Sequence, residues 1–311
     1  MPLNELRGHG LICGVTGSGK TTTAKGLAEA YSAEGIPVFA TDAKGDFAGI
    51  SQPGARDPSD KGDVAQAPPP VTLWDVEGHR GRRFSLRKPP RTPCASVLGS
   101  LQQVAPTGAG TVGILHAAEL IRRPADYADF LTQLILQAAK ATAAALSRSG
   151  RPPIALILEE AHLLFRRLSA ADRQTIAGAL KRLREAQAVV VFVAPDPAEL
   201  PHELDALMGF RVQHSLWTLP ERALERLRCS LAAGAAADDA TLGEELRSLG
   251  VGEAFVWTSS AAGRPARRVQ IPRSMTRDGP ITDNERRTLI ARDAPLQRPA
   301  TRRTGHQRRG P

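Results

Sequence analysis

Gly14-Val15-Thr16-Gly17-Ser18-Gly19-Lys20-Thr21 decides the reading of this chain. It fits G-x-x-x-x-G-K-[ST], a spacing whose glycines let backbone N–H groups turn inward around phosphates. The flanks suit it. His9-Gly10-Leu11-Ile12-Cys13 ahead of it is a short apolar run that predicts a buried strand, and Thr22–Ala30 behind it predicts a helix. Strand, glycine loop and helix together aim the partial positive charge of a helix N-terminus at a bound anion. In that arrangement Gly14 to Thr22 line the phosphates of ATP, Lys20 reaches the β- and γ-phosphates, and the Thr21 hydroxyl holds Mg²⁺. A chance match in a chain with 28 glycines is the bland alternative, and it does not account for the flanks.

Working outward, Ile36–Asp42 predicts a second strand ending on a carboxylate, and Val71–Val76 and Thr111–Leu115 predict two more. A helical pattern covers about 124–147, opened by Pro124 and apolar at Tyr127, Phe130, Leu131, Leu134 and Ile135. Residues 169–186 predict an amphipathic helix with Ser169 as its N-cap. Val189–Val193 reads as a buried strand, 211–216 and 253–258 as late strands, 94–104 as a short helix, and 231–247 as helical in part. Apolar strands alternating with long helices predict an α/β fold with a mostly parallel sheet covered on both faces. Residues 51–69, rich in Pro, Gly and Asp, read as a loop within a loop-rich stretch over 51–110.

The second chemical signal is Leu156-Ile157-Leu158-Glu159-Glu160, an apolar strand running into two acids. ATPases that split the γ-phosphate need two acids at such a strand end. The first, Glu159, orients Mg²⁺, and the second, Glu160, polarises the attacking water. Two ordinary acids opening a helix is the alternative. Asp42-Ala43-Lys44-Gly45-Asp46 is read two ways with equal weight, as a group ordering Mg²⁺ or water and as a simple Asp-Gly turn.

Composition bounds the rest. Apolar residues make 41 %, enough for a globular core, but aromatics only 4 %, so that core rests on Ala, Leu, Val and Ile. No apolar run is long enough for a membrane span, no signal-peptide pattern precedes the glycine loop, and three cysteines without metal spacing fit a reducing cytoplasm. The net charge of +9, carried mostly by Arg, points towards a nucleic-acid partner. Part of that excess lies at Arg298, Arg302, Arg303, Arg308 and Arg309, within a segment 292–311 that reads as a disordered basic tail.

The string HGLICGVTGSGKTTTAKGLAEAYSAEGIPVFATDAKGDFAGIS resembles the opening of the bacterial HerA-like helicases, on the HerA–FtsK branch of P-loop ATPases. The likeness continues at Val71–Val76, Gly113–Leu115, Pro124–Leu131, Glu160-Ala161-His162-Leu163-Leu164-Phe165, Arg211–His214, Leu249–Ala254 and Asp283–Arg287. It implies a RecA-like ATPase domain over 1–275, a C-terminal helix over 276–291, and a homo-oligomeric ring, expected as a hexamer, that acts on DNA. It also implies ATP at subunit interfaces and an arginine finger from the neighbour, for which Arg184 is the matching position and Arg182 a nearby competitor. A nuclease partner is left open. Three departures stand out. The first acid is Glu159 where the family has Asp, the strand end after Val193 reads Ala194-Pro195-Asp196-Pro197 where the family carries a Gln, and a helical insertion between Trp74 and Gly113 is shortened. Three classes of function therefore enter the comparison: an ATP-driven DNA motor, a nucleotide-dependent switch or scaffold with weak turnover, and a small-molecule P-loop kinase.

Overall fold

A computed structural model describes residues 8–54, 67–76, 78–83, 108–146, 154–217, 221–231, 239–259 and 266–293. The short helix expected over 94–104, most of the loop over 51–69 and the basic tail lie outside the described residues. In chain order the elements are β1 (His9–Cys13), α1 (Lys20–Ala33), β2 (Val38–Asp42), β3 (Val71–Asp75), β4 (Arg82–Arg83), β5 (Val112–His116), α2 (Ala118–Ile121), α3 (Pro124–Leu146), β6 (Ala155–Leu158), α4 (His162–Phe165), α5 (Ala170–Glu185), β7 (Val189–Ala194), β8 (Met208–Gln213), α6 (Glu221–Leu231), α7 (Asp239–Ser248), β9 (Glu253–Thr258), β10 (Arg267–Gln270) and α8 (Asp283–Asp293).

The strands form one sheet in the order β10-β9-β8-β1-β7-β6-β2-β5-β3-β4. Pairing is parallel from β8 to β4 and antiparallel across β8-β9 and β9-β10. β7 is inserted between β1, which carries the glycine loop, and β6, which carries the paired acids. The order 8-1-7-6-2 is that of a RecA-like P-loop ATPase, so the expected fold class stands.

Period-2 alternation sorts the central strands into two cores. Leu11, Leu156, Leu158, Val190 and Phe192 face α3, α4 and α5, where they meet Tyr127, Leu131, Leu164, Ile176 and Leu180. Ile12, Val38, Ala40, Ile157 and Val191 face the other way, towards Ala24, Leu27 and Tyr31 of α1. Both faces of these strands are buried, which is why their sequences are continuous apolar runs rather than alternating ones. α5 starts where Ser169 allows it. The Ser169 Oγ accepts from the Asp172 N–H at 3.2 Å, and the Asp172 carboxylate accepts from the Ser169 N–H at 3.4 Å, a reciprocal cap.

Several features differ from the expectations, among them the C-terminal helix, which runs over Asp283–Asp293 rather than 276–291 because the residues before it lie against α1. The strand expected over 211–216 begins earlier, at Met208, and ends at Gln213, because His214 and the residues after it turn to support the glycine loop. β10 and α6 were not expected. β10 is an edge strand exposed on both sides, so it carries no apolar alternation.

Residues 274–278 return to α1 as a strap. Lys25 donates to the Arg277 carbonyl at 2.5 Å, and Glu29 accepts from the Ser274 hydroxyl at 2.5 Å and the Thr276 N–H at 3.1 Å. Both side chains belong to the helix behind the glycine loop, and both are buried. The strap also bridges Pro53 through Thr276. No helix among the described residues is long and apolar enough to cross a membrane.

Candidate functional site: a phosphate loop between two acids and a histidine

The glycine loop connects β1 to α1 at the carboxyl end of the sheet, where parallel α/β folds place their ligands. Gly19 is the N-cap of α1 at φ 110°, a conformation only glycine adopts without strain, and a Cβ there would stand 3.3 Å from the Gly252 backbone. Gly14 is equally constrained, since its Cβ would meet the His214 Cβ at 2.6 Å. The Lys20 ammonium donates to the carbonyls of Gly14 at 2.6 Å and Val15 at 2.8 Å, folded back across the loop it would otherwise extend over. Burial first, and the Lys44 ammonium second, hold its pKa below the usual lysine value. Ser18 Oγ is buried without a hydrogen-bond partner inside the loop.

The two acids arrive from β6. Glu159 is buried, and its carboxylate accepts from the Thr21 hydroxyl at 3.2 Å and the Ala43 N–H at 2.8 Å. Its backbone is held as firmly: the Glu159 N–H donates to Thr41 Oγ1 at 2.8 Å, and the Tyr127 hydroxyl donates to its carbonyl at 2.5 Å. Burial, and then the neighbouring Asp42 and Glu160 charges, push the Glu159 pKa up to about 7. Glu160 follows at φ 51°, a left-handed conformation that costs a non-glycine residue on the order of 1 kcal/mol and is kept where the surroundings impose it. Its carboxylate lies 3.4 Å from His162 Nδ1, and the same nitrogen is 3.6 Å from Glu199, without a hydrogen bond to either.

Of the two readings of Asp42, the structure favours the turn. Asp42 Oδ1 accepts from the Gly45 N–H at 2.7 Å, and further N–H groups at Phe47 and Ala48 hold the carboxylate. Its contribution to the site is indirect, through its charge on Glu159 and the position of Ala43. Pro195 stands where a Gln was expected, and Asp196 after it caps the turn over 197–199 by accepting from the Ala198 N–H at 2.8 Å, so neither side chain offers a donor to a phosphate.

His214 supports the other side of the loop and was not assigned a role from sequence. Its backbone N–H donates to the Cys13 carbonyl at 2.8 Å, and Val15 donates to the Ser215 carbonyl at 3.0 Å. Its ring spans two elements: Nδ1 lies 3.0 Å from the Glu253 carbonyl and Nε2 2.9 Å from the Thr23 hydroxyl of α1. The partners fix the neutral tautomer with the proton on Nδ1. Burial lowers the ring's pKa to about 4. The sequence signals were its place at the end of an expected strand and within a segment of family likeness, and neither says what the ring contacts.

The donor set at Thr21 and Glu159, one hydroxyl and one carboxylate 3.2 Å apart, is hard oxygen of the kind Mg²⁺ takes, so the residues fit the ion. Among the described residues no cluster of three or more His, Cys, Asp or Glu side chains is arranged to hold a metal by itself. Gly14, Val15, Thr16, Gly17, Ser18, Gly19, Lys20, Thr21, Thr22, Glu159 and Glu160 therefore converge at one edge of the sheet. Arg184 does not join them. It is exposed at the end of α5, where its charge reaches His9 at the start of β1, and its guanidinium lies 3.4 Å from the Ala206 carbonyl. That is the amino edge of the sheet, about 13 Å of strand away from the loop.

The profile of the helicase HerA-like C-terminal family matches residues 2–88 and 94–301. The chain belongs to that family. No curated protein matches. Among solved structures, the genome packaging NTPase B204 of Sulfolobus turreted icosahedral virus 2, in complex with ATP-gammaS, superposes with a TM-score of 0.49 at 12 % identity, over 85 % of this chain and 98 % of that one. EssC (ATPases 2 and 3) from Geobacillus thermodenitrificans gives 0.43 at 14 % identity, over 95 % and 45 %. The pCW3 conjugation coupling protein TcpA gives 0.43 at 11 % identity, over 94 % and 66 %.

Proposed function

We propose that this HerA-like chain binds ATP with Mg²⁺ and hydrolyses it as a motor acting on DNA, in a homo-oligomeric ring of the helicase and translocase class. The observation that carries the reading is the convergence of Lys20, Thr21 and the paired acids, with Thr21 and Glu159 already 3.2 Å apart. Thr21 and Glu159 would hold Mg²⁺, which when bound neutralises phosphate charge. Lys20 exchanges two loop carbonyls for phosphate oxygens. Glu160, anchored to the rigid backbone of Glu159 but itself only half-buried, accepts a proton from the attacking water. Arg184 cannot act on its own chain's loop, and its exposure suits a finger offered to a neighbouring copy. The net charge of +9 supports a polyanionic partner.

One observation favours a second reading, a nucleotide-dependent switch with weak turnover. Pro195-Asp196 stands in place of a γ-phosphate sensor, with Asp196 engaged in capping its own turn. Phosphate release measured with and without DNA, for the wild type and Glu160→Gln, together with native mass, separates the two. DNA-stimulated multiple turnover that the variant lacks supports the motor; a wild type no faster than the variant leaves the switch.

A further inference from the structure

Among the described residues three large apolar side chains stand well exposed: Trp217 at 70 %, Val251 at 80 % and Met275 at 49 %. Trp217 and Val251 flank the phosphate loop. Trp217 follows Ser215, whose carbonyl receives the Val15 N–H at 3.0 Å, and Val251 precedes Gly252, whose N–H donates to the Ser18 carbonyl at 3.1 Å. The residues beneath them share one core: Leu216 and Leu249 are buried in the same apolar cluster, and Val15 of the loop packs against it. Trp217 is therefore an exposed ring on a fixed base, beside a loop that binds phosphate.

The sheet order says which part of a nucleotide belongs there. The hydrolytic groups lie on the β7-β6-β2 side of β1, with Thr21, Glu159 and the Ala43 N–H in contact. That side takes the γ-phosphate. With the β-phosphate on the loop, the sugar and base extend the opposite way, over β8 and β9, where Trp217 follows one strand and Val251 precedes the other. An indole face suits a purine, because stacking uses the π-face that every base presents and prefers larger rings. We propose that Trp217, with Val251 beside it, is the base-stacking platform of the nucleotide site, with purine nucleotides as its ligands. The platform rests on the phosphate-loop reading and makes no use of turnover.

The test compares ATP, UTP and inorganic tripolyphosphate by calorimetry on the full chain with Mg²⁺, for wild type, Trp217→Ala, Trp217→Phe and Val251→Ser. Trp217→Ala is expected to weaken ATP about tenfold, to abolish the preference for ATP over UTP, and to leave tripolyphosphate unchanged. Trp217→Phe restores most of the ATP affinity, and Val251→Ser gives a smaller loss confined to ATP. An equal loss for ATP and tripolyphosphate overturns the platform in favour of a structural role in the loop. Unchanged ATP affinity with an altered native mass overturns it in favour of a surface covered by a second copy. A wild type that binds tripolyphosphate, with Trp217→Ala neutral towards ATP, defeats the platform alone. A wild type that binds neither ATP nor tripolyphosphate defeats the parent reading as well.

Discussion

On the β6 side of the phosphate loop, Glu159, Glu160 and Asp42 share a mostly buried corner; burial raises the pKa of Asp42, and burial with the charges of Asp42 and Glu160 pushes that of Glu159 up to about 7. On the β8 side, His214 meets the loop as a neutral ring with both nitrogens paired, and the remaining contacts are backbone hydrogen bonds. The acid side stores repulsion and a left-handed Glu160; the imidazole side stores none. Groups kept close at such a cost belong to chemistry, whereas a fully satisfied ring belongs to support. Substitutions on the two sides should therefore change different observables.

The largest effect is expected from Glu160→Gln, which should cut phosphate release at least 100-fold, as loss of a general base does, while nucleotide affinity and Tm stay unchanged. A loss of Tm comparable to that of a core variant would erase the distinction. His214→Ala should do the reverse. It leaves the Thr23 hydroxyl and Glu253 carbonyl unpaired and opens space behind Gly14, for a destabilisation of about 2–4 kcal/mol in denaturant titration.

Next comes acid. The folded pKa of both His214 and His9 lies at about 4, against about 6.5 unfolded, so the unfolded chain binds more protons between those values. Stability contributed by each neutral ring is present above pH 6.5 and lost as pH falls towards 4, at most about 3 kcal/mol per ring. Unfolding free energies at pH 7 and pH 5 check this, and a His9→Gln, His214→Gln double variant should lose the histidines' share of the slope. Glu159→Gln should act with the opposite sign. Because the folded pKa of Glu159 is raised, its charge destabilises the fold above about pH 7, and that cost fades as pH falls through 7 towards 4.5. The variant should be more stable than wild type at pH 8, by up to about 3 kcal/mol, with the gain gone near pH 4.5 and turnover lost throughout. A Tm that falls at pH 8 would mean that the bonds from Thr21 and Ala43 outweigh the repulsion.

The acid side was legible in the sequence because its chemistry is written in short, local patterns. Gly14–Thr21 and Leu156–Glu160 each announce a strand end and its residues together, and Ser169 announces the start of α5. The support side was not, because its meaning lies in contacts between distant residues. His214 pairs with Thr23 across 191 positions and with Glu253 across 39. Asp42 was undecided because its turn and its place beside Glu159 use the same carboxylate, and only the positions of the Gly45 and Ala43 N–H groups separate them. β10 was missed because an edge strand exposed on both faces shows no pattern.

The strap over α1 bears on how the molecule is made. The glycine loop is translated well before the strap, and the buried Lys25 on the helix behind it waits 252 residues for the Arg277 carbonyl, and Glu29 waits 247 for Thr276. A buried ammonium or carboxylate without its partner costs several kcal/mol. A nascent chain lacking residues 274–278 must leave that face of the helix hydrated. The helix behind the first-translated part of the site therefore reaches its final packing only once the strap has been made.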